Sequence, residues 1–130
     1  MFLCLRINKG VLLIFFFKIL WEFPNYITMT TTSLSKNYKA IHQISQRLKF
    51  NEISEDEVGV LLRLLVASKP GAVVLELGTG TGMGLAWFIE GLDAQGQITT
   101  IEKDEKLIQI AQSYFQEEER IHFINEDANQ

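Results

Sequence analysis

The stretch Val74-Leu75-Glu76-Leu77-Gly78-Thr79-Gly80-Thr81-Gly82 decides the fold. A β-rich run, Ala72-Val73-Val74-Leu75, leads into an acid. Four of the chain's nine glycines, Gly78, Gly80, Gly82 and Gly84, then fall within seven residues. A helical stretch from Met83 to Glu90, closed by Gly91, follows at once. Glycine at such a bend lets the backbone turn tightly and lets a ligand approach with no Cβ in the way. A strand, a glycine-rich bend and a helix in that order read as a ligand-binding loop rather than as a merely flexible turn.

Outward from this loop the pattern repeats. Ile98-Thr99-Thr100-Ile101 and Ile121-His122-Phe123-Ile124 are two more β-rich runs. Between them a helix is expected over about Asp104 to Gln116, with Leu107, Ile110, Ala111, Tyr114 and Phe115 on one face. Strand and helix in alternation give an α/β fold, a parallel sheet with right-handed crossovers. The runs hold few polar residues, as expected of strands buried on both faces. His122, inside the third run, reads as a core or sheet-surface residue.

Upstream, Ile41, Ile44 and Leu48 recur at helical spacing over about Asn37 to Lys49. Ser54-Glu55-Asp56-Glu57 reads as a capping box opening a second helix, which carries Val58, Leu61, Leu62, Leu65 and Val66 and stops at Lys69-Pro70-Gly71. Both helices are expected to pack over the sheet or the mouth of a site.

The 130 residues amount to about one small domain. They carry 12 Lys+Arg against 16 Asp+Glu, a net charge of −4, and are 47% apolar. That mix excludes a disordered or collagen-like chain. A single cysteine, Cys4, excludes an internal disulfide and any cysteine-clustered zinc site, and two histidines leave little for a histidine-based metal centre. The acidic excess disfavours a nucleic-acid partner, whose phosphates it would repel.

Charge divides the chain. Residues 1–28 hold Arg6, Lys9, Lys18 and Glu22, a charge of +2, and the remainder carries −6. The run Val11 to Phe17 is far short of the roughly 20 apolar residues that cross a bilayer, and Lys18 ends it. Arg6 and Lys9 before an apolar run resemble a signal peptide, yet no alanine precedes Ala40 to supply the usual cleavage site. Met29, followed by Thr30-Thr31-Thr32-Ser33, reads as the natural start, with a cytoplasmic location. Residues 1–28 are expected to be an apolar leader outside the fold, 29–70 a helical segment, and 71–130 the first half of a ligand-binding domain.

The dinucleotide fingerprint needs glycine at the first, third and sixth positions of its loop. Counting from Gly78 the sixth is Met83, and from Gly80 it is Leu85; both registers fail. An acid at the strand's end is also a poor neighbour for a pyrophosphate. Glu102 follows the second strand, and Asp127 follows the third by way of Asn125 and Glu126. In a parallel sheet all three acids reach the edge where open α/β folds bind ligands. S-adenosylmethionine presents an ammonium, a sulfonium, a ribose diol and an adenine amino group, each matched to a carboxylate acceptor. Its own carboxylate suits the loop amides at the helix N-terminus.

These segments, 74–82, 98–102 and 124–128, resemble the first three motifs of class I S-adenosylmethionine-dependent methyltransferases. The segment from Ser54 to Leu65 is similar to small-molecule O-methyltransferases of the catechol and caffeoyl-CoA type. The resemblance implies a Rossmann-like sheet of the class I methyltransferase type, of which this chain supplies three strands. It implies that Glu76 and the loop residues Gly78, Thr79, Gly80, Gly82 and Gly84 hold the methionine part. Glu102, with Lys103 beside it, would take the ribose hydroxyls, and Asp127 with Ala128 would flank the adenine. Where the subgroup often has an aromatic residue and then serine, this chain has Met83-Gly84. The acceptor contacts and any divalent cation would come from the other half of such an enzyme, so this half is expected to be inactive alone.

The edge of the first strand, at Val73, Val74 and Leu75, is then expected to lie open, which leaves room for a homodimer or another partner. Two other readings stand beside this one: a non-catalytic methyltransferase-like partner module and an NAD-dependent oxidoreductase domain.

Overall fold

The computed structural model describes residues 2–7, 10–14 and 36–128, with side chains from Asn37 onward. Its elements are β1 (Phe2–Ile7), β2 (Gly10–Ile14), α1 (Lys36–Leu48), α2 (Asp56–Ala67), β3 (Val73–Leu77), α3 (Met83–Gly91), β4 (Gln97–Ile101), α4 (Glu105–Tyr114) and β5 (Ile121–Ile124). They form one sheet in the order β2-β1-β3-β4-β5. β3, β4 and β5 are parallel, with Leu77 opposite Ile101 and Ile101 opposite Ile124. The C-terminal ends of these three strands therefore share one rim.

The N-terminal stretch departs from expectation. β1 runs antiparallel to β3, with Phe2 opposite Leu77 and Leu5 opposite Val74, and β2 pairs outside β1. Part of the expected leader thus lies in the sheet, on the edge expected to be open. A bare edge presents unpaired N–H and C=O groups, and an extended apolar run within reach satisfies them. The end of the apolar run, Phe15 to Lys18, and the start expected at Met29 with Thr30 to Ser33 lie outside the described residues. No helix among the described residues is long and apolar enough to cross a membrane.

Among the described residues the helices cover one face of the sheet. Val74 and Glu76 of β3 and Ile98 and Thr100 of β4 are buried, while Leu75, Leu77, Thr99 and Ile101 between them are only half-buried. Successive strand residues point to opposite faces, so the alternation means one helical layer. Ile121 and Phe123 of β5 pack on the inner side, and His122 is exposed. All four helices add side chains to, or abut, this inner core: Ile41 from α1, Leu62 and Val66 from α2, Leu85 and Phe88 from α3, and Phe115 just past α4.

α3 is the centre of the layer. Every residue from Met83 to Phe88 is buried, which suits a helix enclosed by neighbours on all sides. It packs against α2 so closely that a Cβ on Gly91 would lie 2.3 Å from the backbone oxygen of Arg63. Trp87 fills the space that a side chain at position 59 would need, and the Tyr38 ring meets it edge-on at 5.2 Å. Tyr38 also donates to Asp56 at the start of α2, so one aromatic cluster ties α1, α2 and α3 together.

Two local expectations are corrected. Glu55, not Ser54, is the N-cap of α2, and its side chain makes no capping hydrogen bond; Asp56 and Glu57 in the first turn complement the helix dipole. On α4 the buried face is Ile108 and Ala111, continued by Phe115, whereas Leu107 and Ile110 are half-buried at its margin. Asp104 caps α4, accepting from the amides of Lys106 and Leu107.

The rim opposite the strand C-termini is closed structurally. Arg120 pairs with Glu118 at 2.7 Å and donates to the carbonyls of Leu92 and Asp93, and Asp93 accepts from the Gly71 amide. The guanidinium holds the Glu118 carboxyl below its usual range.

Gly91→Ala forces its new methyl against α2 backbone, which cannot swing aside as a side chain can. We expect a loss of about 1–3 kcal/mol in denaturant unfolding, the usual cost of overpacking. An unchanged midpoint would show that α2 and α3 can separate freely.

Candidate functional site

The alternation Gly-Thr-Gly-Thr-Gly has a structural meaning on the functional rim. Gly78, Gly80 and Gly82 adopt φ of +87°, +55° and +94°, a region that side-chain-bearing residues rarely enter. The intervening threonines are buried, and both hydroxyls turn inward. Thr79 bonds the hydroxyl of Thr100 on β4, and Thr81 bonds that of Ser45 on α1 at 2.8 Å. The glycines supply the bend and the threonines anchor it from behind. The amides of Gly78 and Thr79 add hydrogen bonds to the Ile101 carbonyl, 2.8 and 3.3 Å.

In front of the loop lies a cleft of about 260 Å³. Of the residues expected in the site, Glu76, Gly78, Thr79, Gly80, Gly84, Glu102 and Lys103 line it. Gly82 does not; it faces Ala111 and Phe115, so that a Cβ there would meet both at 3.2 Å. Asp127 and Ala128 are not in the wall either. They follow β5, two strands from β3 and so about 10 Å away along the sheet. Their end of β5 still belongs to the same rim, since Asn125 donates to the Glu102 carbonyl at 2.7 Å.

The wall also contains residues that sequence reasoning missed: Phe50, Glu52, Ile53 and Ser54 from the α1–α2 connection, with Met83, Asp104 and Leu107. The Phe50 ring sits so near the loop that a Cβ on Gly80 would lie 3.0 Å from it. Nothing local in the sequence marks Phe50, because its placement depends on how α1 packs on α3.

The two buried acids differ in their partners. Glu102 is fully engaged: one carboxylate oxygen accepts from the Gly80 amide and the other from the Asp104 amide, both at 2.9 Å. It ties the glycine loop to the turn that opens α4. Each oxygen keeps a lone pair for a ligand hydroxyl. Glu76 is fully enclosed; Oε2 accepts from Thr100 at 2.7 Å, whereas Oε1 has no hydrogen-bond partner among the described residues. Burial pushes its carboxyl up to about 8, the Glu102 charge adds to the rise, and the Thr100 hydrogen bond opposes it. In the ligand-free protein Glu76 is therefore mostly protonated at neutral pH, not the anion its position in the sequence suggests.

The arrangement provides a backbone cradle, a hydroxyl-accepting carboxylate and an orphaned buried oxygen on one cleft wall. Such a set accepts hydrogen bonds from a ligand that brings donors and positive charge, and it repels one that brings phosphates. The cleft wall thus fits a cationic nucleoside.

Because Glu76 holds its proton to higher pH when folded than when unfolded, the native state binds more protons across the interval from about 4.5 to about 8. Its contribution to stability is present below that interval and is lost as pH rises through it. We expect the thermal midpoint of the ligand-free chain to drop between pH 5 and pH 8.5 more steeply than that of Glu76→Gln. Parallel curves would place the Glu76 carboxyl in its ordinary range.

Known proteins agree with this picture. The sequence profile of the O-methyltransferase family matches residues 29–130. A Mycobacterium leprae protein bearing the name of an O-methyltransferase is 37% identical over 60 residues, which are 46% of this chain and 27% of that protein. A Mycobacterium avium counterpart is 35% identical over the same length. Among solved structures, the Bacillus cereus O-methyltransferase in complex with SAH superposes with a TM-score of 0.63 at 24% identity, covering 74% of this chain and 46% of that one. A Streptomyces achromogenes O-methyltransferase in complex with SAM gives 0.66 at 20% identity, covering 77% and 47%. The chain thus spans about a quarter of the curated relatives and about half of the solved structures it matches. These likenesses give the fold, and the profile match gives the lineage: the chain belongs to the O-methyltransferase family.

Proposed function

We propose that this chain is the S-adenosylmethionine-binding half of an enzyme that methylates an oxygen of a small molecule. The observation that carries the reading is the pairing of two buried acids, Glu76 and Glu102, on adjacent parallel strands beside a glycine loop of positive φ. The solved relatives that hold SAH or SAM support it. Glu76 would receive the ammonium of the methionine part, and the loop from Gly78 to Gly84 its carboxylate, through amides other than those of Gly78, Thr79, Gly80 and Gly82, which already donate within the protein. Glu102 and Lys103 would meet the ribose, and Asp127 with Ala128 the adenine, at the far end of the rim. When bound, S-adenosylmethionine supplies a methyl group made electrophilic by its sulfonium. The chain's own residues bind, orient and shield it, and no catalytic residue is assigned among them.

The methyl acceptor and any divalent cation are matched to none of the described residues. Such transfer depends on holding a nucleophile in line with the methyl, so the residues described here would be inactive without an acceptor pocket. The same reading sets the enzyme in the cytoplasm and gives nucleic acid no part. An NAD-dependent oxidoreductase is disfavoured, because the sixth position of the dinucleotide fingerprint is Met83 or Leu85 and not glycine.

Titration calorimetry of the chain with S-adenosylmethionine and with NAD decides between them. Binding of the former alone is expected; tighter binding of NAD would overturn the reading. Glu102→Ala should weaken S-adenosylmethionine by about 1–3 kcal/mol, the usual cost of lost charge-assisted hydrogen bonds. No measurable loss would remove Glu102 from the ribose site.

A further inference from the structure

We propose that Thr79 and Thr100 are positioning residues that aim one oxygen of Glu76 at the ligand's ammonium, and that the bound pair of carboxyl and amine shares a single proton. This rests on the reading of the cleft as an S-adenosylmethionine site, and it deepens that reading.

The geometry fixes the direction of a three-member chain. A hydroxyl has one hydrogen to give. When Glu76 is the anion that faces a ligand cation it can only accept, so Thr100 gives its hydrogen to Oε2, and between the two threonine hydroxyls Thr79 is then the donor and Thr100 the acceptor. All three side chains are buried, with exposures of 4% for Thr79, 0% for Thr100 and 1% for Glu76. The chain begins in the glycine loop, crosses to β4 and ends on β3, so the carboxyl cannot rotate without breaking it. Glu76 Oε1 is left without a hydrogen-bond partner among the described residues, and Glu76 lines the cleft.

A buried oxygen in that state is costly until a proton or a cation reaches it. In the empty cleft a proton serves. Among the described residues, the charged groups that face the same cleft are Glu102, Lys103 and Asp104 from the end of β4 and the start of α4, and Glu52 from the α1–α2 connection. Glu102 disfavours a second anion beside it. Lys103 and Asp104 are exposed, opposite in sign and screened by water.

The proton count follows. Below about pH 8 the free carboxyl and the free ligand ammonium, whose ordinary pKa is about 7.7–8.0, carry two protons, and the complex keeps one. One proton leaves on binding. Above that pH the free partners carry none, and one proton is taken up. Affinity should therefore peak near pH 8, and the exchanged proton should change sign there.

Calorimetry with S-adenosylmethionine in buffers of different ionisation heat, from pH 6 to 9.5, tests this on the full chain. The expected result is release of nearly one proton at the acid end, uptake at the alkaline end, and affinity falling by about tenfold per pH unit below pH 7. 5′-Methylthioadenosine, which lacks the amino-acid part, should bind with no such dependence. Thr100→Val should weaken S-adenosylmethionine about tenfold while leaving 5′-methylthioadenosine unchanged, and Thr100→Ser should restore the wild-type profile. Should Thr100→Val fail to fold, Thr79→Val carries the same comparison, and the wild-type proton count stands as an independent test. Equal losses for both ligands, or pH-independent binding without proton exchange, would overturn the relay and leave the S-adenosylmethionine reading intact. Failure of S-adenosylmethionine to bind at any pH would overturn both.

Discussion

The carboxylate of Glu102 accepts from the amides of Gly80 and Asp104 at once, and the rest of the cleft is arranged around that bridge. A loop of left-handed glycines has little conformational preference of its own, since glycine loses more freedom on folding than any other residue. Something outside the loop must choose its shape. Glu102 does so from the front, while Thr79 and Thr81 do so from behind through Thr100 and Ser45. The loop is therefore held by three elements, α1, β4 and the start of α4.

The two acids show how burial and hydrogen bonding divide similar groups. Glu102, with both oxygens occupied by amides, is part of the frame as well as of the binding surface. Glu76, one strand away and more deeply enclosed, has one oxygen occupied and one not. Charge at Glu102 opposes charge at Glu76, so the pair settles with the proton on the more enclosed member. The division separates a permanent structural contact from one that a ligand completes.

Much of this was legible in the sequence. The three parallel strands, the two crossover helices and the acids at the strand ends follow from β-rich runs and their spacing, which are local signals. The same locality explains what was not. Phe50 enters the cleft through the packing of α1 on α3, and no motif announces it. The resemblance assigned Thr79 to the cofactor, and Thr79 lines the cleft; that its hydroxyl bonds Thr100, 21 residues distant, is a tertiary contact that no local motif announces. Ser54 looked like a cap by spacing, yet the helix begins one residue later. Few polar residues in β3 and β4 implied burial on both faces; among the described residues the helices supply the cover of one of them. The pairing of β1 with β3 was hidden because an apolar run shows its appetite for cover without showing where the cover comes from.

The one-sided helical layer has a practical corollary in bulk solution. Leu75, Leu77, Ile101 and Ile124 share the less covered face, with Val73 at its margin half in water. Attraction between such surfaces strengthens on warming and with sulfate or phosphate, which are excluded from protein surfaces, and it weakens in the cold. Where this face of the described residues meets water, self-association should be weakest when the protein is chilled and in weakly salting-out buffers.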